Sequence, residues 1–386
     1  MIKAKLEYAL KHYIWLQNIY KVIMSSTFKF IGIFIKVDRN IVLYNSMIGR
    51  SNYDSPKAIF DYLTSHPEYS NLKHVWAFNN PEIEEGYDNC KKIKIDTLSY
   101  FLTALKAGYW ITNVNIERGL KFKKKKTRYL NTWHGVAFNY IGNDVPGRND
   151  YDSRNVDVIC YESEYSKNIL TRALRTNPDN MIPSGLPRND KLYQINNSQI
   201  LELKEKLGIP LDKKIILYAP TWRDSEDLGK DYILAPPIDF EKWERYLGKD
   251  YIVLLRTHHL TTKLMNVKFN NFVRNFSGYG CINDLFAISD ILISDYSACI
   301  ADFSILERPI ICFAYDYDTY RNKRGLYIDF QKEMPNGIFI TENSVLTHII
   351  SMNDNEERIK TKKLKEKFTC YGGNATKMCI EKLFQK

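Results

Sequence analysis

The chain has none of the glycine-rich phosphate loops by which many nucleotide enzymes can be recognised. Neither GxxxxGK(S/T) nor a GxGxxG after the first strand occurs, and HExxH and GxSxG are missing as well. P-loop kinases, dinucleotide oxidoreductases, zincins and serine hydrolases are therefore poor readings. The seven cysteines form no CxxC pair, and several sit inside apolar runs, as Cys160 does in Val158-Ile159-Cys160 and Cys312 in Ile310–Phe313. That usage argues against a zinc site or a disulfide framework and fits buried free thiols in a reducing compartment, the cytoplasm. No uncharged apolar stretch approaches the roughly 20 residues that a membrane-spanning helix needs. Lysines interrupt every segment that could serve as the core of a signal peptide. No internal repeat or low-complexity linker is visible.

What is present reads as a packed protein of two domains. A chain of 386 residues with 44% hydrophobic and 13% aromatic content is too long for one comfortable core and too apolar for disorder. The net charge of +10 is uneven: residues 1–40 hold seven cations against two acids, a net +5. Aromatic and aliphatic residues, Tyr13, Trp15, Ile19, Phe28, Phe30 and Phe34 among them, lie between those lysines. Two readings follow, a basic amphipathic segment lying in a membrane interface and a docking helix with a solvated basic face. The run Lys121–Arg128 likewise reads either as a solvated loop or as a contact for anionic headgroups or a lipid pyrophosphate, worth about 1 kcal/mol per cation.

Strands and helices alternate along the rest of the chain, which predicts an α/β fold of doubly wound parallel sheets. In the first half, strands are expected at 41–44, 74–78, 93–95, 109–112, a segment ending at Trp133, 156–160 and 181–182. In the second they are expected at 215–218, 251–255, 291–293 and 309–313. A helical bridge over about 189–207 leads to the boundary. The expected division is 1–38 as the amphipathic segment, 39–207 as a first Rossmann-like domain, and 208–386 as a second that includes a C-terminal helix. Ligand should lie between the carboxyl ends of facing strands.

Four motifs carry chemistry. In Asn131-Thr132-Trp133-His134-Gly135 a histidine is delivered to a strand's end, and the following glycine permits close approach by substrate. Arg256-Thr257-His258-His259 ends the run 251–255 and brings a second histidine to the same kind of edge; one could act as a base while the other stabilises charge on a phosphate oxygen. Ser294-Asp295-Tyr296-Ser297 lies where a strand gives way to a helix, a place that suits an anion, although these residues also suit simple helix capping. Ala219-Pro220-Thr221-Trp222-Arg223 follows another strand and offers a hydroxyl and a guanidinium to phosphate. The segment Ser184-Gly185-Leu186-Pro187-Arg188-Asn189-Asp190 says less on its own.

Taken together, in order and spacing from about residue 40 to residue 375, these segments and Arg308-Pro309-Ile310 resemble the CDP-glycerol glycerophosphotransferase family of teichoic-acid primases and polymerases. The resemblance implies a GT-B fold, two Rossmann-like domains with an interdomain cleft. It also implies transfer of a polyol phosphate from a CDP-alcohol, CDP-glycerol or CDP-ribitol, to a hydroxyl of a polyprenyl-pyrophosphate-linked glycan, with release of CMP. Under it His134 is the general base and His258 binds the transferring phosphate. Thr221, Arg223, Arg256, Ser294, Asp295, Tyr296 and Ser297 hold the donor, while Trp133, Gly135, Gly185, Arg188, Asp190 and His259 lie along the same cleft. No cofactor is called for, no metal-ligand cluster stands out, and no nucleic-acid motif is present. Family members act as peripheral proteins on the inner membrane face, which agrees with the basic N-terminal segment. The chain departs from the family's pattern at Val136–Asn139, at Ala298 where serine is common, and at Gly372–Ala375, so substrate identity is less secure than the chemistry. The alternative is a GT-B glycosyltransferase using a UDP- or GDP-sugar for capsule or surface glycan.

Overall fold

The computed structural model describes residues 13–50, 53–87, 90–221, 233–234, 237–257, 263–264 and 267–385. Seven strands form the first sheet: β1 (Asp38–Asn45), β2 (Lys73–Phe78), β3 (Lys91–Lys94), β4 (Ala107–Thr112), β5 (Arg128–Asn131), β6 (Val158–Cys160) and β7 (Met181–Ile182). All pair in parallel in the order β3-β2-β1-β4-β5-β6-β7. The second half supplies β8 (Lys214–Tyr218), β9 (Ile233–Leu234), β10 (Tyr251–Leu255), β11 (Lys263–Leu264), β12 (Val273–Asn275), β13 (Ile291–Ser294) and β14 (Ile310–Cys312). Five of these make a parallel sheet in the order β12-β10-β8-β13-β14, while β9 and β11 pair separately.

Sheets covered on both faces need strands that are apolar on both faces. Val42-Leu43-Tyr44, Trp76-Ala77-Phe78, Ile215-Ile216-Leu217 and Val253-Leu254-Leu255 meet that need, and each is essentially inaccessible to solvent. Strand order reverses between β1 and β4 in one sheet and between β8 and β13 in the other. Loops leaving neighbouring strands at such a point diverge to opposite faces, which opens a crevice at the carboxyl edge.

Several expected boundaries shift. The helical bridge is two helices, Asp190–Gln194 and Asn197–Lys206, because Asn196 and Gln199 form a reciprocal capping box that starts the second. The expected strand ending at Trp133 stops at Asn131, and that expected at 156–160 begins at Val158. The last helix, Ala375–Phe384, returns to the first sheet, where Cys379, Ile380 and Leu383 pack with Val42, Tyr44 and Trp76. Asp190 holds its start, accepting from the amides of Ala375 and Thr376 at 2.8 Å each.

The described part of the N-terminal segment is the helix Ile14–Phe34. Phe28 is buried, stacked on Phe101 at 4.6 Å, and Met24, Ile31 and Ile35 pack beside it. Trp15, Val22, Ile23, Phe30, Ile33 and Phe34 face outward, each between 58% and 75% exposed. Among the described residues no helix is long and apolar enough to cross a membrane. The lysine run beside this helix is partly structural. Lys124 donates to the carbonyls of Gly32 and Ile35, closing the helix's last turn, and Lys123 and Lys121 pair with Asp157 and Asp152 at 2.8 and 3.1 Å. Its nearness to His134 in sequence is not nearness at the site: the run enters the amino end of β5, and His134 follows the carboxyl end.

Candidate active site

A cleft of about 930 Å³ runs between the carboxyl edges of the two sheets. Arg50, Tyr53, Asp54 and Trp133–Asn139 form one wall, and Ala219–Thr221, Arg256, Thr257, Ser277–Gly280 and Tyr296–Cys299 form the other.

His134 stands on the first wall, in the loop after β5. Its Nδ1 lies 2.9 Å from the carbonyl oxygen of Asn113, which follows β4. A carbonyl only accepts, so Nδ1 carries the proton and Nε2 the lone pair. Burial lowers the imidazole's pKa from its ordinary 6.5, and the Arg188 charge lowers it further, against the Asn113 hydrogen bond and Asp54, which raise it. The ring is therefore neutral at pH 7, the state that a proton acceptor requires. Trp133 packs against it with ring centroids 4.1 Å apart and planes tilted by 36°, and it takes a left-handed backbone, φ 57°. That conformation is strained for a bulky residue and turns the chain so that His134 leaves the sheet edge. Gly135 has φ 136°, and a Cβ there would stand 2.9 Å from Ala298 Cβ on the opposite wall. Only glycine fits where the walls touch.

Arg188 joins the two walls. Its guanidinium, 12% exposed, pairs with Asp54 at 2.9 Å and with Asp302 of the second domain at 2.7 Å. It also donates to the His134 carbonyl at 3.0 Å. Asn189 donates to the other Asp302 oxygen at 2.7 Å, and Asn283 donates to Asn189 at 2.9 Å and to the Arg188 carbonyl at 2.8 Å. Glu162, 1% exposed beyond β6, lies close to this cluster, and burial followed by the charge of Asp302 pushes its carboxyl up to about 7. A carboxyl whose folded pKa is raised contributes stability that is complete below its unfolded value of 4.5 and lost as pH rises through about 7. Glu162→Gln should therefore be more stable than the natural chain at pH 8.5, by up to about 3 kcal/mol, with the gap closing toward pH 4.5. Urea melts across that range check this, and a gap independent of pH contradicts it.

On the second wall, Thr221, Tyr296, Ser297 and Arg256 line the cleft. Arg256 donates to the carbonyls of Tyr279 and Gly280, and burial lowers its pKa. Ser294 and Asp295 are buried behind this surface. Ser294 Oγ donates to the Ala219 carbonyl at 2.7 Å. Asp295 Oδ1 gathers the Thr221 hydroxyl and the amides of Thr221 and Tyr296, the latter two at 2.8 Å, so it ties the loops after β8 and β13 together. Gly185 and Asp190 sit at the root of the C-terminal helix, away from the cleft lining. A Cβ on Gly185, φ 71°, would come within 2.4 Å of the Tyr371 carbonyl. Arg308 closes the helix Ile282–Ile288, donating to the carbonyls of Ala287 at 2.7 Å and Ser289 at 2.6 Å. Arg223, His258 and His259 lie outside the described residues. Asp54, Asn113 and Asp302 were not singled out from sequence.

The chain matches the CDP-Glycerol:Poly(glycerophosphate) glycerophosphotransferase family over residues 27–385. It belongs to that family. The teichoic acid poly(glycerol phosphate) polymerases of Staphylococcus epidermidis and Bacillus subtilis are 33% and 34% identical to it, over 77% and 90% of this chain. Those alignments take in 43% and 49% of the two polymerases, so the chain spans about half their length. The teichoic acid glycerol-phosphate transferase of Staphylococcus aureus is 33% identical over 80% of this chain and 83% of its own. The solved wall teichoic acid polymerase TagF superposes with a TM-score of 0.81 at 28% identity, covering 94% of each chain, and establishes the fold as GT-B-like. A His-to-Asn variant of TagF soaked with CDPG superposes equally well, TM-score 0.80 at 28% identity and 94% coverage of each. Among the described residues of this glycerophosphotransferase-family chain, no group of three or more His, Cys, Asp or Glu is arranged to hold a metal ion.

Proposed function

We propose that this protein transfers glycerol phosphate, or a related polyol phosphate, from a CDP-alcohol to a hydroxyl of a lipid-linked glycan and releases CMP. The observation that carries the reading is His134, neutral, with Nε2 unprotonated, on the wall of a cleft whose other wall presents Arg256, Thr221 and Ser297. In the proposed step His134 Nε2 takes the acceptor hydroxyl's proton as the oxygen bonds to the donor's β-phosphorus. The bond from that phosphorus to the bridging oxygen breaks, and CMP departs with its electron pair. Arg256 and the hydroxyl of Ser297 hold the donor's phosphates beside the loop that Thr221 and Asp295 brace, while His258 and Arg223, by family resemblance, complete the phosphate shell. Asp295 and Ser294 act through Thr221 and the loops they bind. Positioning and fixed charge would supply most of the acceleration.

A polyprenyl-linked acceptor requires the cleft to work at a membrane. The outward apolar face of the helix Ile14–Phe34, with its neighbouring lysines, supports a peripheral position on the cytoplasmic face. The division expected from sequence, 39–207 for the acceptor and 208–386 for the donor, is part of the same proposal. The test is CMP release by purified protein given lipid acceptor and CDP-glycerol, CDP-ribitol, a UDP-sugar or a GDP-sugar. Release from a CDP-alcohol alone is expected; turnover of a sugar nucleotide in its place contradicts the proposal.

A further inference from the structure

The charge balance behind His134 is lopsided. Arg188 is one cation held between two carboxylates, Asp54 on the loop after β1 and Asp302 on the helix Cys299–Ser304. The cluster thus carries one net negative charge, and the same guanidinium that binds both acids also binds the carbonyl of His134. Asp54 and His134 line one cleft, and Asp54 is the acid whose field acts on the ring. Two loops fix this approach. Asn113 accepts the His134 ring proton through its carbonyl and the amide of Met47 through Oδ1, at 2.9 Å in each case. Met47, Ile48 and Gly49 are all left-handed, φ 46°, 60° and 71°, and this tight turn leads the chain on toward Asp54. Three left-handed residues in a row, one of them β-branched, persist only where surrounding contacts hold them.

We propose that Asp54 is the counter-charge of His134, a positioning and charge-balancing residue that stabilises the imidazolium formed when the ring accepts a proton. A neutral ring withdrawn from water is a ready base but a costly cation. The excess negative charge of the Asp54–Arg188–Asp302 cluster offsets that cost at the moment of transfer. Because Asp302 comes from the second domain, the balance depends on both walls being in place. Among the described residues, the charged and titratable groups around the ring are Arg50, Tyr53, Asp54 and Arg188 on its own wall and Arg256, Tyr279, Tyr296 and Cys299 across the cleft; Asp302 and Glu162 act through Arg188. The catalytic consequence rests on the base role proposed for His134; the coupling between Asp54 and the ring does not.

The test uses the full chain carrying Asp54→Asn and Asp54→Glu. Asparagine still caps the helix Ser55–Ser65, so folding is preserved, and thermal melts verify this. The His134 pKa is read by NMR, the resonance assigned by its loss in His134→Asn. Loss of a nearby negative charge disfavours the imidazolium, so the pKa should fall by about one unit in Asp54→Asn and return in Asp54→Glu. In the CMP-release assay kcat should fall about tenfold or more, KM for CDP-glycerol should stay within about twofold, and the acid limb of the rate profile should move to lower pH. A folded Asp54→Asn protein whose His134 titrates unchanged overturns the proposal. A shifted pKa with unchanged kcat supports the coupling and counts against the general-base role of His134 instead.

Discussion

Replacing His134 with alanine is expected to reduce CMP release by about 10²- to 10⁴-fold, the range spanned by loss of a positioned general base. Binding of CDP-glycerol should change little, within about threefold, because the proposed reaction holds the donor chiefly on the opposite wall and uses the deleted ring on the acceptor. Isothermal titration of the donor and a CMP assay on the same preparation separate these two effects. With the proposed activity, the natural protein should lose kcat/KM on acidification with an apparent pKa below 6.5, since burial holds His134 below that ordinary value. Near-normal turnover in the alanine variant would remove the base from the mechanism.

Arg188→Met should be the most damaging single change to stability. Methionine fills much of the same volume but leaves Asp54 and Asp302, 10% and 4% exposed, facing each other without a cation. Breaking a buried pair in this way costs about 3–5 kcal/mol, mostly through the charges left behind. The variant also frees the His134 carbonyl, so activity should fall along with the unfolding midpoint. Adding Asp54→Asn and Asp302→Asn in the Arg188→Met background should recover a large part of the stability and little of the activity. Urea melts of the single and triple variants test this. A single variant as stable as the natural chain would show that the cluster does not hold the two walls together.

These two residues also show how far the sequence could be read. Strands such as 215–218 and 251–255 were legible because a doubly covered parallel strand must be apolar along its whole length, and each lies within a residue of where it was expected. β12, with only three residues and one of them Arg274, gave no such run. His134 was legible because a histidine and a glycine at a strand's end form a local signal. Arg188 was noticed only as part of a motif, and its purpose was not visible. Its partners stand 134 and 114 residues away in sequence, and no local pattern encodes an ion pair closed by the meeting of two domains. For the same reason Asp190 and Gly185, placed along the cleft from sequence, are found at the root of the helix Ala375–Phe384. Asp295 and Ser294 were read as facing a phosphate, and they are found buried, bracing the loops that line the cleft. The outer face of the helix Ile14–Phe34 was legible in composition, but which side packs inward depended on Phe101 and Phe122, far along the chain.

In the proposed reaction both walls meet on one phosphorus. Its most direct test is a crystal structure of the His134→Asn variant with CDP-glycerol bound. The pyrophosphate is expected against Arg256, Ser297 and the Thr221 loop, with His258 on the glycerol-bearing phosphate. An acceptor oxygen would have room within about 3.5 Å of that phosphorus and in reach of residue 134. A donor lodged away from this cleft, or phosphates separated from residue 134 by more than about 10 Å with no room for an acceptor between them, would contradict it.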